Sequence, residues 1–318
     1  MTALNGQLER IMPVLTPAGV FLGFLFPQVF IYLRPLVSWL FAVMTLSGAL
    51  KLRARELGMA LRRPLPILLF FLASHILLPL AVLVISGLLF SGDSDTISGY
   101  ILVYAAPTAV SGFIWTSIYR GDAALTLAII LLDTLVAPAL VPGTVSLLLG
   151  TKSALDMTGI AVSVILMVVV PTIIGVTVNE ASRGKIPRLV VPYLNPAAKA
   201  CIILVIAANA SAVAPQVHLE DPKVWAIGAL CLGFAALGYL FAKLICILGR
   251  LNPEKRVSIF FAVGLRNISA ATTIAIEFFP EAAALPAILG IVFQQTMAAV
   301  MGKLLMRPAG GNGADPPG

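Results

Sequence analysis

Charge is what this chain has least of. Lys, Arg, Asp and Glu together supply 11% of its 318 residues, and hydrophobic residues supply 59%, where an ordinary soluble domain carries about 25% charged residues. The mean hydropathy is +1.02. Such a chain cannot clothe a globule in polar surface, so a soluble fold is excluded and an all-α polytopic membrane protein is implied. Cysteine is scarce as well: Cys201, Cys231 and Cys246 lie in apolar stretches with no CxxC spacing and no neighbouring histidine. That excludes a disulfide framework or a zinc site and leaves packing as their role. Histidine is limited to His75 and His218, the latter in a polar loop. No nucleophile, base and orienting group recur at motif spacing, so neither an enzyme nor a metal or cofactor site is expected. No small-residue cleavage site follows Glu9-Arg10, so the first apolar segment is expected to stay in the membrane.

What the chain does have is apolar runs of spanning length, at roughly 11–29, 34–51, 65–91, 98–118, 123–149, 156–178, 190–213, 223–248, 257–278 and 284–305. These predict ten transmembrane helices. The formal net charge is +7, which in a soluble protein would suggest nucleic acid. Here the cations sit in alternate connections: Lys51, Arg53, Arg55, Arg62 and Arg63; Arg120; Arg183, Lys185 and Arg188; Arg250, Lys255 and Arg256. The intervening connections, with Asp93 and Asp95, then Lys152 and Asp156, then Glu220, Asp221 and Lys223, then Glu277 and Glu281, are neutral or acidic. By the positive-inside rule the basic set faces the cytoplasm, as do both termini with Arg10, Lys303 and Arg307, and the partner is a lipid bilayer, expected to be a bacterial inner membrane, with no nucleic acid. After Pro308 the residues are Gly, Pro and Asn with one Asp, predicting a disordered tail over 308–318.

Two charges fall deep in apolar runs. Arg266 is ten residues past Arg256 and Asp133 eleven past Asp122, the latter about 16 Å along a helix, half of a ~30 Å hydrocarbon core. A charge at that depth costs roughly 2.5 to 3.5 kcal/mol on insertion scales, so a chain that keeps one generally uses it. The fourth and ninth runs are interrupted, by Pro107 and by Gly264-Leu265-Arg266-Asn267. Tyr104-Ala105-Ala106-Pro107 with Ser111, and Phe261-Ala262-Val263-Gly264 with Ser269, resemble distant copies. Asp122-Ala123-Ala124-Leu125 and Glu281-Ala282-Ala283-Ala284-Leu285 follow at similar distances. Five helices per half would invert the second copy, giving repeats over 1–150 and 151–307 whose broken helices cross at the midplane and line a binding site.

Pro107-Thr108-Ala109-Val110-Ser111-Gly112, Tyr119-Arg120-Gly121-Asp122-Ala123-Ala124-Leu125-Thr126 and Val263-Gly264-Leu265-Arg266-Asn267 together resemble the bile acid/sodium symporter family, over residues 11 to 305. The resemblance implies a panel and a core domain that move organic anions by alternating access. It also maps sodium-site positions onto this chain, and there the chain departs. Ala262 stands where relatives open the ninth-helix motif with Glu, Arg266 stands for its Gln, Gly112-Phe113 for a Ser-Asn pair, Thr126 and Ile130 for two hydroxyls, and Ser74 for a third-helix Gln. Only Ser74 and Thr126 keep a hydroxyl. A sodium ion needs several oxygens and no adjacent cation, so this sequence is read as a transporter not coupled to sodium in the usual way.

Arg266 is read as a built-in cation in place of a bound one, with Asp133 as its partner. Three roles stand for the pair: holding the two halves together, direct contact with the anion, or a switch released by substrate or a proton. Asn267, and Thr108 or Ser111, have the chemistry to start the second halves of the broken helices and form an anion site there; Gly112, Thr126 and Ser269 complete the candidate set. His75, beside Pro79, is the intramembrane histidine able to carry a proton as coupling ion. Gln294-Gln295 suit bonds between helices. Trp39, Trp115 and Trp225 read as interface anchors or cavity walls. Alternatives are a non-transporting membrane receptor with the same pocket and a sodium-coupled symporter with an altered site. An arsenite extruder is disfavoured because Gly112-Phe113 offers no thiol at the fourth-helix break.

Overall fold

A computed structural model of the chain describes residues 15, 17–55, 58, 62, 64–150, 155–218 and 220–306. The expected tail 308–318, with Arg10, Arg63, Lys152 and Arg307, lies outside the described residues. Helices occur as α1 over 17–25, α2 Pro27–Ala49, α3 Leu65–Leu89, α4 Ser94–Ala105, α5 Ser111–Ile118 and α6 Ala123–Leu149; then α7 Met157–Ala181, α8 Lys185–Val213, α9 Pro222–Leu248, α10 Pro253–Gly264, α11 Ile268–Phe278 and α12 Glu281–Leu305. Among the described residues, seven of these (α2, α3, α6, α7, α8, α9 and α12) are long and apolar enough to cross a membrane. The protein is an all-helical, polytopic integral membrane protein.

Local chemistry sets the boundaries. Asp93, Asp122, Asp156, Asp221 and Asn252 each accept a backbone N–H two or three residues on, opening α4, α6, α7, α9 and α10, as side-chain caps do. Arg120, Arg183 and Arg250, with φ of 56°, 51° and 51°, stand in the left-handed region just past α5, α7 and α9, where a helix commonly ends and a cation meets the negative end of the dipole. The first two expected spans, 11–29 and 34–51, are bounded differently. Helix stops at 25 and restarts at Pro27, and Ile31–Leu36 is 3-10 with Pro35 inside it. Pro27 suits a first helical position, and Pro35 has no N–H for a regular helix. In α3 the six residues Leu72–Leu77 form a π-helical turn just ahead of Pro79.

The helices pack as two groups. In one, α2, α7 and α8 lie together and Gly19 and Gly23 of α1 rest on α8; in the other, α3 to α6 pack with α9 to α12. The groups meet along α6 and α7, and where Asn209 Nδ2 donates to Thr273 Oγ1 at 3.2 Å. Outward faces carry large apolar side chains such as Tyr32, Trp39, Leu88, Leu147 and Trp225, a surface suited to lipid. Since lipid is as apolar as the interior, close contact holds such helices together. Gly264 shows this: a Cβ there would run into the ring of Tyr239, itself buried against Phe260 and Phe261. Gly264→Ala is expected to cost about 1–3 kcal/mol. A double-mutant cycle with Tyr239→Leu, read by thermal unfolding in detergent, is expected to return part of that loss.

On the acidic side Asp93 ties α4 to α9, with Lys223 Nζ at 2.8 Å from Oδ2 and Thr96 N–H donating to Oδ1 at 3.2 Å. Burial alone would push this carboxyl up; the bonds from Lys223 and Thr96 together outweigh it and hold the carboxyl below its ordinary value of 3.8. A lowered carboxyl contributes stability above its unfolded pKa and loses it as pH falls through the folded one. The unfolding midpoint is therefore expected to drop as the medium is acidified below about pH 4, and more shallowly in Asp93→Asn.

Candidate functional site

The site begins as a backbone problem. Pro107 lacks an N–H and the chain turns extended at Ala106, with φ −59° and ψ 150°, so α4 stops at Ala105; α10 stops at Gly264. Each break exposes amides and carbonyls that a membrane interior does not satisfy. They satisfy one another. Ala109 N–H donates to Leu265 O at 2.9 Å and Asn267 N–H to Pro107 O at 2.8 Å, forming an antiparallel bridge between Thr108 and Arg266. Asn267 caps α11 as expected of its residue type, its Oδ1 accepting from Ala270 N–H at 3.3 Å. The matching expectation for α5 fails: Val110 holds the cap position with no side-chain bond. Thr108 instead donates its hydroxyl across the break, 2.7 Å from Ala262 O and 3.1 Å from Leu265 O, and Ser111 is the first residue inside α5.

In an uninterrupted helix Thr108 N–H would donate to Tyr104 C=O four residues back. The break parts them, and a buried charge of opposite sign takes each. Thr108 N–H donates to Asp133 Oδ2 at 2.7 Å. Tyr104 O accepts from Arg266 Nη2 at 2.5 Å. The same guanidinium donates to Ser74 O at 2.8 Å and to the Ser74 hydroxyl, inside the π-helical turn of α3, where the widened ladder presents carbonyls sideways. Arg266 is 2% exposed and Asp133 0%. The direct Arg266–Asp133 partnership read from their common depth is therefore corrected: the two bracket one severed backbone hydrogen bond without touching. Asp133 Oδ1 is engaged by His75 Nε2 at 2.8 Å, and the His75 ring stacks on Phe71 at 5.4 Å. The buried His75 Nδ1 and Arg266 Nε have no hydrogen-bond partner among the described residues.

The sodium bile acid symporter family matches residues 37–220, more than half of the chain and including one of the two breaks. The chain belongs to this family. An uncharacterized Bacillus subtilis protein, YbaS, is 38% identical over 93% of this chain and 97% of its own length. A B. subtilis protein named as an uncharacterized sodium-dependent transporter, YocS, is 23% identical over 83% and 81%. The probable chloroplastic sodium/metabolite cotransporter BASS1 of Arabidopsis thaliana is 25% identical over 93% and 73%. This symporter-family protein is accordingly a membrane transporter.

The other expected site residues are distributed around the bridge or away from it. Gly112 faces Phe261 and Ala262 of α10, where a Cβ would reach 3.4 Å from Phe261 O. Thr126 lies outside the charged cluster: its hydroxyl pairs with Thr116 Oγ1 at 3.2 Å and Asp122 O at 3.1 Å. Ser269 is partly buried in the first turn of α11. Sequence reasoning did not foresee the Tyr104 carbonyl, which has no side-chain signature, and assigned Gln294 only a bond between helices; its Nε2 donates to Arg266 O at 2.6 Å. Gln295 accepts from Trp115 Nε1 at 3.0 Å. Tyr104, Gly264, Arg266, Ile268 and Gln294 border a cavity with about 20 Å³ of room for water. That is space for one or two waters.

Proposed function

We propose that this symporter-family protein is a secondary transporter carrying a small or amphipathic organic anion across a bacterial inner membrane by alternating access. In this reading Arg266 is fixed where a coupling cation would otherwise bind, and sodium is not the coupling ion. The observation that carries it is a guanidinium at 2% exposure, surrounded by the Ser74 hydroxyl, Ser74 O at 2.8 Å and Tyr104 O at 2.5 Å. Three oxygens gathered around one cationic group, two from Ser74 of α3 and one from the end of α4, are the donor type of a hard cation, and here the chain supplies that cation itself. A sodium ion about 4 Å away would meet a repulsion of about 4 kcal/mol at an effective dielectric of 20, nearly a thousandfold in affinity. The scaffold we attach to it is ten spans in two inverted five-helix repeats, 1–150 and 151–307, as panel and core, with both termini cytoplasmic. The matched breaks and the separate packing of α1, α2, α7 and α8 support that scaffold.

A proton is the coupling ion in this reading. Arg266 and the Asp133 carboxylate cancel, and of the two groups able to take up a proton, Asp133 and His75, we assign it to His75, whose imidazole is the usual carrier near neutral pH. It faces Asp133 on α6 and, through Ser74, the guanidinium from the ninth span. A proton gained on one side makes the cluster net positive and favours anion entry; loss on the other side favours release. A thermal-shift screen of organic anions supplies a ligand, which is then followed into proteoliposomes. Uptake is expected to survive replacement of sodium by choline and to rise several-fold with an inward proton gradient. That rise is expected to vanish in His75→Gln. Uptake that collapses without sodium overturns the reading, and a ligand that binds but never enters the vesicles favours a receptor.

A further inference from the structure

A second cavity lies away from the breaks, where the end of α2 meets the turn between α7 and α8. Lys51, Arg53, Asn179, Gly184, Arg188 and Val191 are among its lining residues, and it offers about 210 Å³ of room for water, against about 20 Å³ at the break. Among the described residues its lining includes three cationic side chains and no carboxylate. Glu180, in the last turn of α7, is engaged by Ala54 N–H at 2.9 Å.

The walls are fixed by backbone geometry. Asn179 Nδ2 donates to Leu52 O at 2.8 Å, and Gly184 N–H donates to Asn179 O at 2.9 Å. Arg183 and Gly184 are both left-handed, with φ of 51° and 80°, which folds the turn tightly enough for Arg53 to lie over it. A Cβ on Gly184 would stand 3.7 Å from the Arg53 guanidinium and from Asn179 Oδ1. On the outward side of α8, turned away from the cleft-lining Pro187 and Val191, Leu189 and Tyr193 are 72% and 66% exposed, with Ile186 and Val190. The two basic connections that the charge pattern assigns to one membrane face thus converge on one cleft, at the end of helices whose outward sides are apolar.

We infer that this cleft binds the phosphate of an anionic membrane lipid, with Arg53 and Arg188 on the phosphate oxygens and the acyl chains along Leu189 and Tyr193. Guanidinium groups match phosphate oxygens in pairs, and basic pockets between spanning helices on the cytoplasmic side take acidic headgroups. A soluble phosphate would satisfy the same cations but has no acyl chains to pass from Arg188 onto the outward side of α8.

The test uses the full chain in uncharged detergent, with thermal unfolding followed in phosphatidylglycerol, phosphatidylcholine or inorganic phosphate. Phosphatidylglycerol is expected to raise the midpoint by several degrees over phosphatidylcholine in the native protein and in Lys303→Gln, a surface cation outside the cleft. In Arg53→Gln/Arg188→Gln that difference is expected to disappear. An equal shift in the double variant, no preference for phosphatidylglycerol in the native protein, or a full shift with inorganic phosphate alone overturns the inference. Should the double variant fail to fold, Arg188→Gln alone is expected to lose about half of the shift, and an undiminished shift there overturns it.

Discussion

Arg266→Gln is expected to lower sodium-free uptake roughly a hundredfold, equivalent to about 2.7 kcal/mol, and to destabilise the protein by about 3–5 kcal/mol. The stability loss follows from leaving Asp133 buried without its compensating charge and Tyr104 O without its donor. The transport loss follows from the proposed role of the guanidinium as the resident cation. A purely structural arginine would give the first loss as well, so sodium separates the two. Glutamine leaves the Ser74 hydroxyl, Ser74 O and Tyr104 O facing a vacancy of suitable size for a hard cation. The residual uptake of Arg266→Gln is expected to rise when sodium is added, while the native protein stays indifferent. Native-level uptake by folded Arg266→Gln in choline, or residual uptake that ignores sodium, would remove the basis for a built-in cation.

The second large effect is expected at Asp133, whose two oxygens serve different partners. Asp133→Asn keeps an acceptor for Thr108 N–H but removes the charge that faces His75 and balances Arg266. Asp133→Ala removes both, and it is expected to cost about 1–3 kcal/mol more than Asp133→Asn, the penalty of an unmet buried N–H. Removing both charges in Arg266→Gln/Asp133→Asn is expected to give a protein more stable than either single variant, since an uncompensated buried charge costs more than a missing pair. Denaturation in detergent measures all four proteins. If the double variant loses the sum of the single losses, the two charges are not coupled through the break.

Much of this site was legible in the residues. Asp133 and Arg266 stood out by depth, His75 as the intramembrane histidine, Ser74 only through the position that the family resemblance maps onto it, and Pro107 and Gly264-Leu265-Arg266-Asn267 by interrupting their helices. Asn267 reads as a helix start and is one. Ser111 does begin α5 but Val110 holds the cap position without a side-chain bond, and Thr108 lies outside that helix with its hydroxyl donating to Ala262 O and Leu265 O of the facing break. The pairing of Asp133 with His75 was hidden for a related reason. Equal depth brings two charges to one plane, but their contact depends on which turn of each helix faces the other, and the π-helical turn of α3 inserts both Ser74 and His75 between them.

Composition, the lengths of the apolar runs and the spacing of Lys and Arg determined by themselves that this chain crosses a membrane many times and carries a charged, twice-interrupted centre, because these are properties of single segments in a solvent of fixed thickness. Tertiary structure alone decided who partners whom: Tyr104 O with Arg266, Thr108 N–H with Asp133, and Arg53 with Arg188 across a cleft. Those pairs are set by helix rotation and backbone hydrogen bonds between segments distant in the chain, and neither is encoded in the residues of one segment.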